Sequence, residues 1–252
     1  DNHVDIGRNP LPEIINFDEV YAFKSEKSKY VCVLLDFKKQ IPVDVLPNRK
    51  KEYLLNYFQK IPLEERKKVK YACSDMYEVY RDVVHKVFPS CCMLLDYFHL
   101  SQDFHRKMNE VRIKVMKGYK DNKASDEYYL LKKFNWLLFK NPEDEDKYGR
   151  LFDVERERKY NSHFKSYMNY YDLRKKLLEI NNDLTICYSL KLELVDFYSK
   201  STIDNAKVNL ENLIRSCIDT NIEEMIKFSN NLINWKQEII NSFTIVGTEY
   251  KV

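Results

Sequence analysis

The chain has 252 residues, of which 44% are hydrophobic and 32% charged, and its formal net charge is +3. These values are typical of globular proteins and exclude a largely disordered chain. No run approaches the roughly 20 apolar residues that a membrane-spanning helix needs, and no signal-peptide pattern opens the chain, so we expect a soluble, intracellular protein.

The first 12 residues are polar and contain Gly7, Pro10 and Pro12, which predicts an extended linker. Residues 14–23 follow as a strand in which Asp18 shares one face with Ile14 and Val20. Both faces are largely apolar, so we expect a central strand in a sheet that is covered on both sides. A carboxylate there is costly unless it is paired or binds a cation, which makes Asp18 a candidate metal ligand. The alternative is an aspartate near water at the end of a strand.

Further strands are predicted at residues 30–37 and 41–46, and Pro42 assigns the third strand to a sheet edge because proline cannot donate to a ladder. A helix at 49–60, with Asn48 as its cap, a strand at 69–73, a helix at 77–87 and a strand at 91–95 complete this half. Strands separated by helices run parallel. The order β-β-β-α-β-α-β is that of a mixed five-stranded, ribonuclease-H-like sheet.

From residue 101 onward the apolar residues recur at helical spacing, at 126–140, 150–180, 184–199, 203–218 and 221–242, with an acidic loop at 141–149. Trp136 and Trp235 are interpreted as core residues. The predicted fold class is therefore α/β plus all-α. We expect a linker at 1–12, the first part of a core at 13–105, a large helical insertion at 106–243 and a truncated return towards the core at 244–252.

The six cysteines lie in apolar contexts and form no C-x-x-C pair, so we interpret all of them as reduced core residues. Charge is uneven along the chain: residues 1–120 hold 22 Lys and Arg against 17 Asp and Glu, whereas the remainder holds 20 against 22. The first half is thus the better candidate for contact with a polyanion.

Asp75 follows the predicted fourth strand, at the sheet end where open α/β sheets place functional groups. If that strand lies beside the first, the carboxylates of Asp18 and Asp75 converge. Their repulsion is relieved by a divalent cation that prefers oxygen ligands, Mg²⁺ or Mn²⁺. Two such ions about 4 Å apart activate a nucleophile and stabilise the leaving oxygen of a phosphodiester.

Five segments carry a resemblance to a known family: Ile15-Asn-Phe-Asp18-Glu-Val-Tyr, Val33-Leu-Leu-Asp-Phe37, Val45-Leu-Pro-Asn-Arg49, Cys73-Ser-Asp75-Met-Tyr77 and Leu95-Asp96-Tyr-Phe-His99-Leu. In this order they resemble the catalytic core of the ISL3 family of bacterial insertion-sequence transposases. Leu190-Lys-Leu-Glu-Leu194 and the segment from Trp235 to Phe243 are similar to the helical insertion of that family.

The resemblance implies a DDE transposase, in which two aspartates and a glutamate bind two Mg²⁺ or Mn²⁺ ions for strand cleavage and strand transfer at transposon ends. It assigns Asp18 and Asp75 as the first two acids, and Asp96 with His99 as a D-x-x-H motif. The alternative for the latter two is a structural pair. The third acid is expected beyond residue 252, since Glu249 does not fit its motif. The family's amino-terminal zinc and helix-turn-helix region has no counterpart before Asp18, so we expect a fragment truncated at both ends.

The resemblance also implies DNA as partner, a homo-oligomer when complete, no membrane association, and a bacterial cytoplasmic, nucleoid-associated location. Candidate DNA contacts follow the D-x-x-H motif directly, at Arg106, Lys107, Arg112, Lys114 and Lys117. Basic clusters at 24–29, 49–51 and 66–70 are interpreted as solvated surfaces. Two alternatives remain open: a metal-dependent nuclease that cuts without joining, and a non-catalytic DNA-binding or helical interaction module derived from a transposase.

Overall fold

The structure, a computed structural model, describes residues 7–25 and 28–244, without the side chains of residues 22–25 and 28. The first half of the predicted linker, Lys27 and the side chain of Lys24 of the first basic cluster, Glu249 and the part of the predicted return at 245–252 lie outside this description. The chain divides into two compact units: unit 1 comprises Asp1–Leu100, Thr202–Lys207 and Trp235–Val252, and unit 2 comprises Ser101–Ser201 and Val208–Asn234.

Unit 1 is built on a five-stranded mixed sheet, as predicted. Its strands are β1 (Ile14–Ser25), β2 (Ser28–Asp36), β3 (Ile41–Leu46), β4 (Tyr71–Ser74) and β5 (Cys92–Leu95). The order is β3-β2-β1-β4-β5, in which β1 pairs antiparallel with β2 and parallel with β4, and β4 pairs parallel with β5. The predictions of a central first strand and an edge strand containing Pro42 are therefore confirmed.

One face of this sheet is covered by two helices, α1 (Lys51–Gln59) and α3 (Glu78–Val87), with the short α2 (Leu63–Arg66) between them in the chain. Phe17 of β1 is 1% exposed and packs between Phe58 of α1 and Tyr80 of α3, at ring-centroid distances of 5.8 and 5.2 Å. Burial of aromatic side chains is the dominant stabilisation of such a layer.

The other face of β1 is apolar and buried only at the start of the strand. Ile14 is 3% exposed, but Asp18 is exposed and Val20 is 51% exposed. The expectation of a strand covered on both sides is thus wrong for the second half of β1. Asp18 therefore lies beside water, and its carboxylate needs no partner to offset a cost of burial.

Helix α10 (Lys236–Ser242) belongs to unit 1 and lies against β5, the edge strand opposite β3. The Ser242 hydroxyl donates to the Leu95 carbonyl at 2.9 Å and accepts from the Leu95 amide at 3.2 Å, and Asn241 Nδ2 donates to the Met93 carbonyl at 2.9 Å. Side chains of a helix thus satisfy the backbone groups of an edge strand that would otherwise be available to another strand.

Unit 2 is mainly helical, with its core among the buried apolar faces of its helices; Phe104 and Phe228, for example, meet at 5.0 Å. Its elements are the greater part of α4 (Tyr97–Lys117), α5 (Asp126–Lys133), a 3-10 helix (Asn135–Leu138), α6 (Tyr170–Glu179), α7 (Asn182–Lys200), most of α8 (Ala206–Asp219) and α9 (Glu223–Asn234).

The prediction that residues 150–180 are helical is wrong for the first 20 of them. Two small hairpins occupy this region and its approach: β6 (Glu145–Asp146) with β7 (Gly149–Arg150), and β8 (Lys159–Asn161) with β9 (Ser166–Met168). Asn169 then opens α6 with a capping box that uses Asp172. Exposed polar residues dominate both hairpins, so no apolar periodicity marks them in the sequence.

Other predictions differ from the structure in detail. Helix α1 begins at Lys51 rather than Arg49, because Asn48 accepts from the Lys50 amide in a turn before it. All six cysteines are free, as predicted; Cys91 and Cys92 are only partly buried. Trp235 is buried, whereas Trp136 is half-buried. Among the described residues, no helix combines the length and apolar composition that crossing a membrane requires.

We predict that Ser242→Ala lowers the free energy of unfolding by about 1–3 kcal/mol, because it leaves the buried amide and carbonyl of Leu95 without these partners. Urea denaturation monitored by circular dichroism measures the change. Ser199→Ala, at an exposed position of α7 (Asn182–Lys200), is the control and should change stability by less than about 0.5 kcal/mol. Equal stability of the two variants would contradict the role given to Ser242.

Candidate functional site

Three aspartates occupy matching positions along three adjacent parallel strands: Asp18 lies within β1, whereas Asp75 and Asp96 directly follow β4 and β5. Asn16 of β1 pairs with Cys73 of β4, which pairs with Leu94 of β5. Two residues further along each strand come Asp18, Asp75 and Asp96, respectively. The amide of Asp96 donates to the Ser74 carbonyl at 3.1 Å, which carries the β4–β5 ladder to the end of β5. The sheet register therefore brings the three acids to the same level along the strands, at one end of the sheet.

Asp18 and Asp75 differ in environment. Asp18 is exposed, and its carboxylate accepts from the Glu19 amide at 2.7 Å. Asp75 is half-buried, and its carboxylate accepts from the Tyr77 amide at 3.1 Å, just before α3 begins. Positive partial charge at a helix amino terminus favours a carboxylate at this position.

Asp96 caps the other helix that starts at this edge. Its Oδ1 accepts from the Phe98 amide at 2.8 Å in the first turn of α4. His99 lies in the same turn, with its Nε2 3.8 Å from Asp96 Oδ2, so the two side chains are neighbours without a direct hydrogen bond. This geometry fits the structural-pair alternative as well as a functional motif.

The three aspartates form an aspartate row, Asp18, Asp75 and Asp96, whose charges influence two buried thiols. Burial raises the pKa of Cys32 to about 12, and the charges of Glu19, Asp18 and Asp75 all contribute to that rise. Burial also raises the pKa of Cys73, with a contribution from Asp96. The Cys32 thiol is therefore a buried group of unit 1 whose ionisation these carboxylates disfavour.

The surroundings of Asp75 raise the pKa of its carboxyl group. Burial raises its pKa and the charge of Glu19 raises it further, whereas His99, the Tyr77 amide and Arg49 act in the opposite direction. A half-buried carboxylate with a raised pKa beside a second acid is a common feature of functional sites.

Glu19 belongs to a network that the sequence interpretation missed. It is on the same face of β1 as Phe17, its carboxylate pairs with the Arg49 guanidinium, and the Tyr80 hydroxyl donates to it at 3.2 Å. The Arg49 guanidinium lies over the rings of Tyr30 and Tyr77, at 4.5 and 4.6 Å from their centroids. The sequence signal for this network was Glu19 itself, a charged residue on the inward, otherwise apolar face of β1.

No group of three or more His, Cys, Asp or Glu side chains within the described residues has the geometry to hold a metal ion. The acids of the row therefore offer at most a partial ligand set in this part of the chain. Carboxylate oxygens remain the ligand type that Mg²⁺ and Mn²⁺ prefer.

The candidate DNA contacts lie on α4 in unit 2. Arg106 is exposed and pairs with Asp103, Lys107 pairs with Glu110 at 3.4 Å, and Lys114 pairs with Glu223 and Glu224. Lys117 is exposed. Arg112 is 7% exposed and donates to the Leu131 carbonyl at 2.7 Å. The DNA role of these residues stays a prediction, and the burial of Arg112 argues against its part in it.

Several residues of the predicted basic clusters are paired within unit 1. Lys67 pairs with Glu64 at 2.8 Å and Lys70 with Glu13 at 2.9 Å. Arg66 donates to the carbonyls of Ile61 and Val87. Arg49 takes part in the network around Glu19 described above.

Comparison with protein families gives one match: the model of the DDE_Tnp_ISL3 family, described as "Transposase", matches residues 15–248. No curated protein and no solved structure matches the chain. The match spans β1 to the last described residues, and so includes both units.

We predict that Asp75→Asn raises the melting temperature at pH 7 by ~1–2 °C, because it removes a half-buried charge that Glu19 repels. The raised pKa means that this group's contribution to stability is present at acid pH and is lost as the pH rises through the folded-state pKa. The difference between variant and wild type should therefore shrink below about pH 4. Differential scanning calorimetry across this range tests the sign; a less stable variant at pH 7 would contradict it.

We also predict that Arg49→Met lowers the free energy of unfolding by about 1–3 kcal/mol, because it leaves the largely buried Glu19 carboxylate without its cation. Adding Glu19→Gln should recover part of that loss. A double-mutant cycle by urea denaturation measures the coupling. Additive effects of the two substitutions would show that the pair contributes no net interaction.

Proposed function

The chain belongs to the ISL3 family of transposases, and from this premise we propose that it is a DDE-type catalytic region for divalent-metal-dependent cleavage and strand transfer at insertion-sequence ends. In this proposal unit 1 is a ribonuclease-H-like core, unit 2 is an insertion, DNA is the substrate, and the protein acts in the cytoplasm at the nucleoid. The observation that supports the proposal most directly is the register that aligns Asp18, Asp75 and Asp96 at one sheet edge.

The residues at this edge suit a hard divalent cation in donor chemistry. Asp18 offers an exposed carboxylate, and Asp75 offers one whose pKa is raised by burial and by the charge of Glu19, so a cation at Asp75 would offset both the burial of its charge and the repulsion from Glu19. We propose Asp18 and Asp75 as ligands of Mg²⁺ or Mn²⁺. Two ions held in a complete site would supply Lewis-acid activation of an attacking oxygen and stabilisation of a leaving one.

The remaining groups act on these two carboxylates. The Tyr77 amide and the start of α3 orient Asp75 and favour its ionised form. Arg49 neutralises Glu19, which limits the repulsion that Asp75 experiences. Asp96 caps α4, and the His99 imidazole lies beside it in the first turn of that helix, with Nε2 3.8 Å from Asp96 Oδ2.

A second candidate is a non-catalytic DNA-binding or interaction module derived from a transposase. It is favoured by one observation: no three-ligand metal cluster occurs among residues 7–25 and 28–244. In that case the aligned acids are remnants, and metal ions have no specific effect on the protein. A nuclease that cuts without joining uses the same ligands, and no observation favours it over a transposase.

Calorimetric titration with Mn²⁺ tests the proposal. We expect the wild-type chain to bind Mn²⁺ with a defined stoichiometry, and Asp18→Asn and Asp75→Asn each to weaken binding at least about tenfold, because each removes one of the proposed anionic ligands. Asp82→Asn, which changes a carboxylate on α3 that pairs with Lys51, is the control and should bind like wild type.

Circular dichroism of each variant separates loss of the site from loss of the fold. Binding that persists unchanged in both Asp18→Asn and Asp75→Asn would refute the two-carboxylate site. If the folded wild-type chain bound no Mn²⁺, the interaction-module candidate would replace the proposal.

A further inference from the structure

Unit 2 contains a groove built around the two hairpins and α5. It encloses about 690 Å³, a volume in the usual range of ligand sites. Its lining is defined by aromatic and charged side chains, chiefly Tyr129, Tyr148, Tyr160, Tyr170, Arg156 and Lys159. None of these residues has a part in the function proposed above.

Two of the tyrosines present free ring surface to the groove. Tyr148 is 68% exposed and Tyr160 is 58% exposed, although large hydrophobic rings are usually covered. By contrast, the floor residue Tyr129 is stacked on His163 at 4.0 Å with an interplanar angle of 7°, and Tyr170 meets Trp136 at 5.1 Å. The groove thus has a packed aromatic floor and two open aromatic walls.

Tyr148 is held at the tip of its hairpin rather than left to move freely. Its amide donates to Asp146 Oδ1 at 2.8 Å, and Gly149 after it has a φ of +96°, which closes the turn. Arg156 ties the hairpin down by donating to Asp146 Oδ2 at 2.6 Å and to the Arg150 carbonyl at 3.0 Å. A ring presented in a fixed orientation loses little entropy when a ligand stacks on it.

Cations surround the open ring of Tyr148. Lys147 Nζ is 4.8 Å from the ring centroid, and Lys159 Nζ and the Arg156 guanidinium are both 5.9 Å away. Lys147 and Lys159 form no ion pair with any carboxylate in the described part of the chain. Open rings flanked by ammonium groups match the alternating bases and phosphates of a nucleic acid strand.

The balance of charge decides between a duplex and an unpaired strand. The lining holds four cationic side chains, Lys133, Arg150, Arg156 and Lys159, and four acidic ones, Asp146, Asp153, Glu155 and Glu157. Lys147, which lies beside the lining, adds one further cation. Duplex DNA presents mainly phosphates and depends on a large net positive charge for binding, which this nearly balanced groove does not supply. An unpaired base offers a π-face to the tyrosines and hydrogen-bond donors to the carboxylates.

We propose that this groove binds an unpaired segment of DNA, with bases stacked on Tyr148 and Tyr160 and phosphates beside Lys147 and Lys159. The choice of DNA as the polymer rests on the proposed function. The binding itself requires neither a metal ion nor the aspartate row, so the two proposals fail independently.

The test measures fluorescence anisotropy of a labelled 12-nucleotide single strand with the full chain, in a chelating buffer that removes divalent ions. Stacking contributes about 1–3 kcal/mol per base, so we expect Tyr148→Ala with Tyr160→Ala to weaken single-strand binding about tenfold or more. The same pair changed to Phe keeps both rings and should bind within about twofold of wild type. Tyr53→Ala, which removes an exposed tyrosine of α1 outside the lining, is the second control and should bind like wild type.

Three outcomes would overturn the proposal. The first is a double alanine variant, folded by circular dichroism, that binds the single strand like wild type. The second is an equal loss of duplex binding in that variant, which would make the groove a duplex site. The third is displacement of the strand by millimolar free mononucleotide, which would assign the groove to a free nucleotide. Photocrosslinking of a 5-iodouracil strand to Tyr148 or Tyr160 in the wild-type chain would support it without any substitution.

Discussion

The parallel pairing of β1, β4 and β5 is the constraint on which the candidate site depends. Here the register brings an aspartate to the same level of each strand, within β1 and directly after β4 and β5. A shift of one residue in either ladder would break this alignment and would also turn the inward side chains of that strand away from the core. The aromatic packing of Phe17 under α1 and α3 therefore fixes the site as well as the fold.

This end of the sheet concentrates negative charge, and the neighbouring groups offset only part of the resulting repulsion. Helix starts favour the carboxylates of Asp75 and Asp96, and Arg49 is stacked between two rings and paired with Glu19. Even so, burial keeps the pKa of Asp75 above its ordinary value. Functional sites often retain such unfavourable electrostatics, because full neutralisation would remove the reason to bind a cation.

Much of unit 1 could be predicted from the sequence, because its strands are short apolar runs separated by clear turn and helix signals. Pro42 placed β3 at the edge, and the position of Asp75 after a buried strand indicated the functional end of the sheet. Glu19 was missed because its partners come from distant segments, Arg49 and Tyr80, and no local pattern encodes them. The hairpins at 145–168 were missed for a related reason: both are exposed and polar, so neither the strand period nor the helix period is present.

The contact of α10 with β5 has a consequence for how the protein is made. Ser242 and Leu95 are separated by 147 positions, and nearly all of the intervening chain forms unit 2. At ~5–20 residues per second, a ribosome takes roughly 7–30 s to synthesise that stretch. During this interval the nascent β5 has an open edge, available to any passing strand. Early folding of unit 2 as a compact body shortens the distance that α10 must search, so this unit also serves the biosynthesis of the sheet.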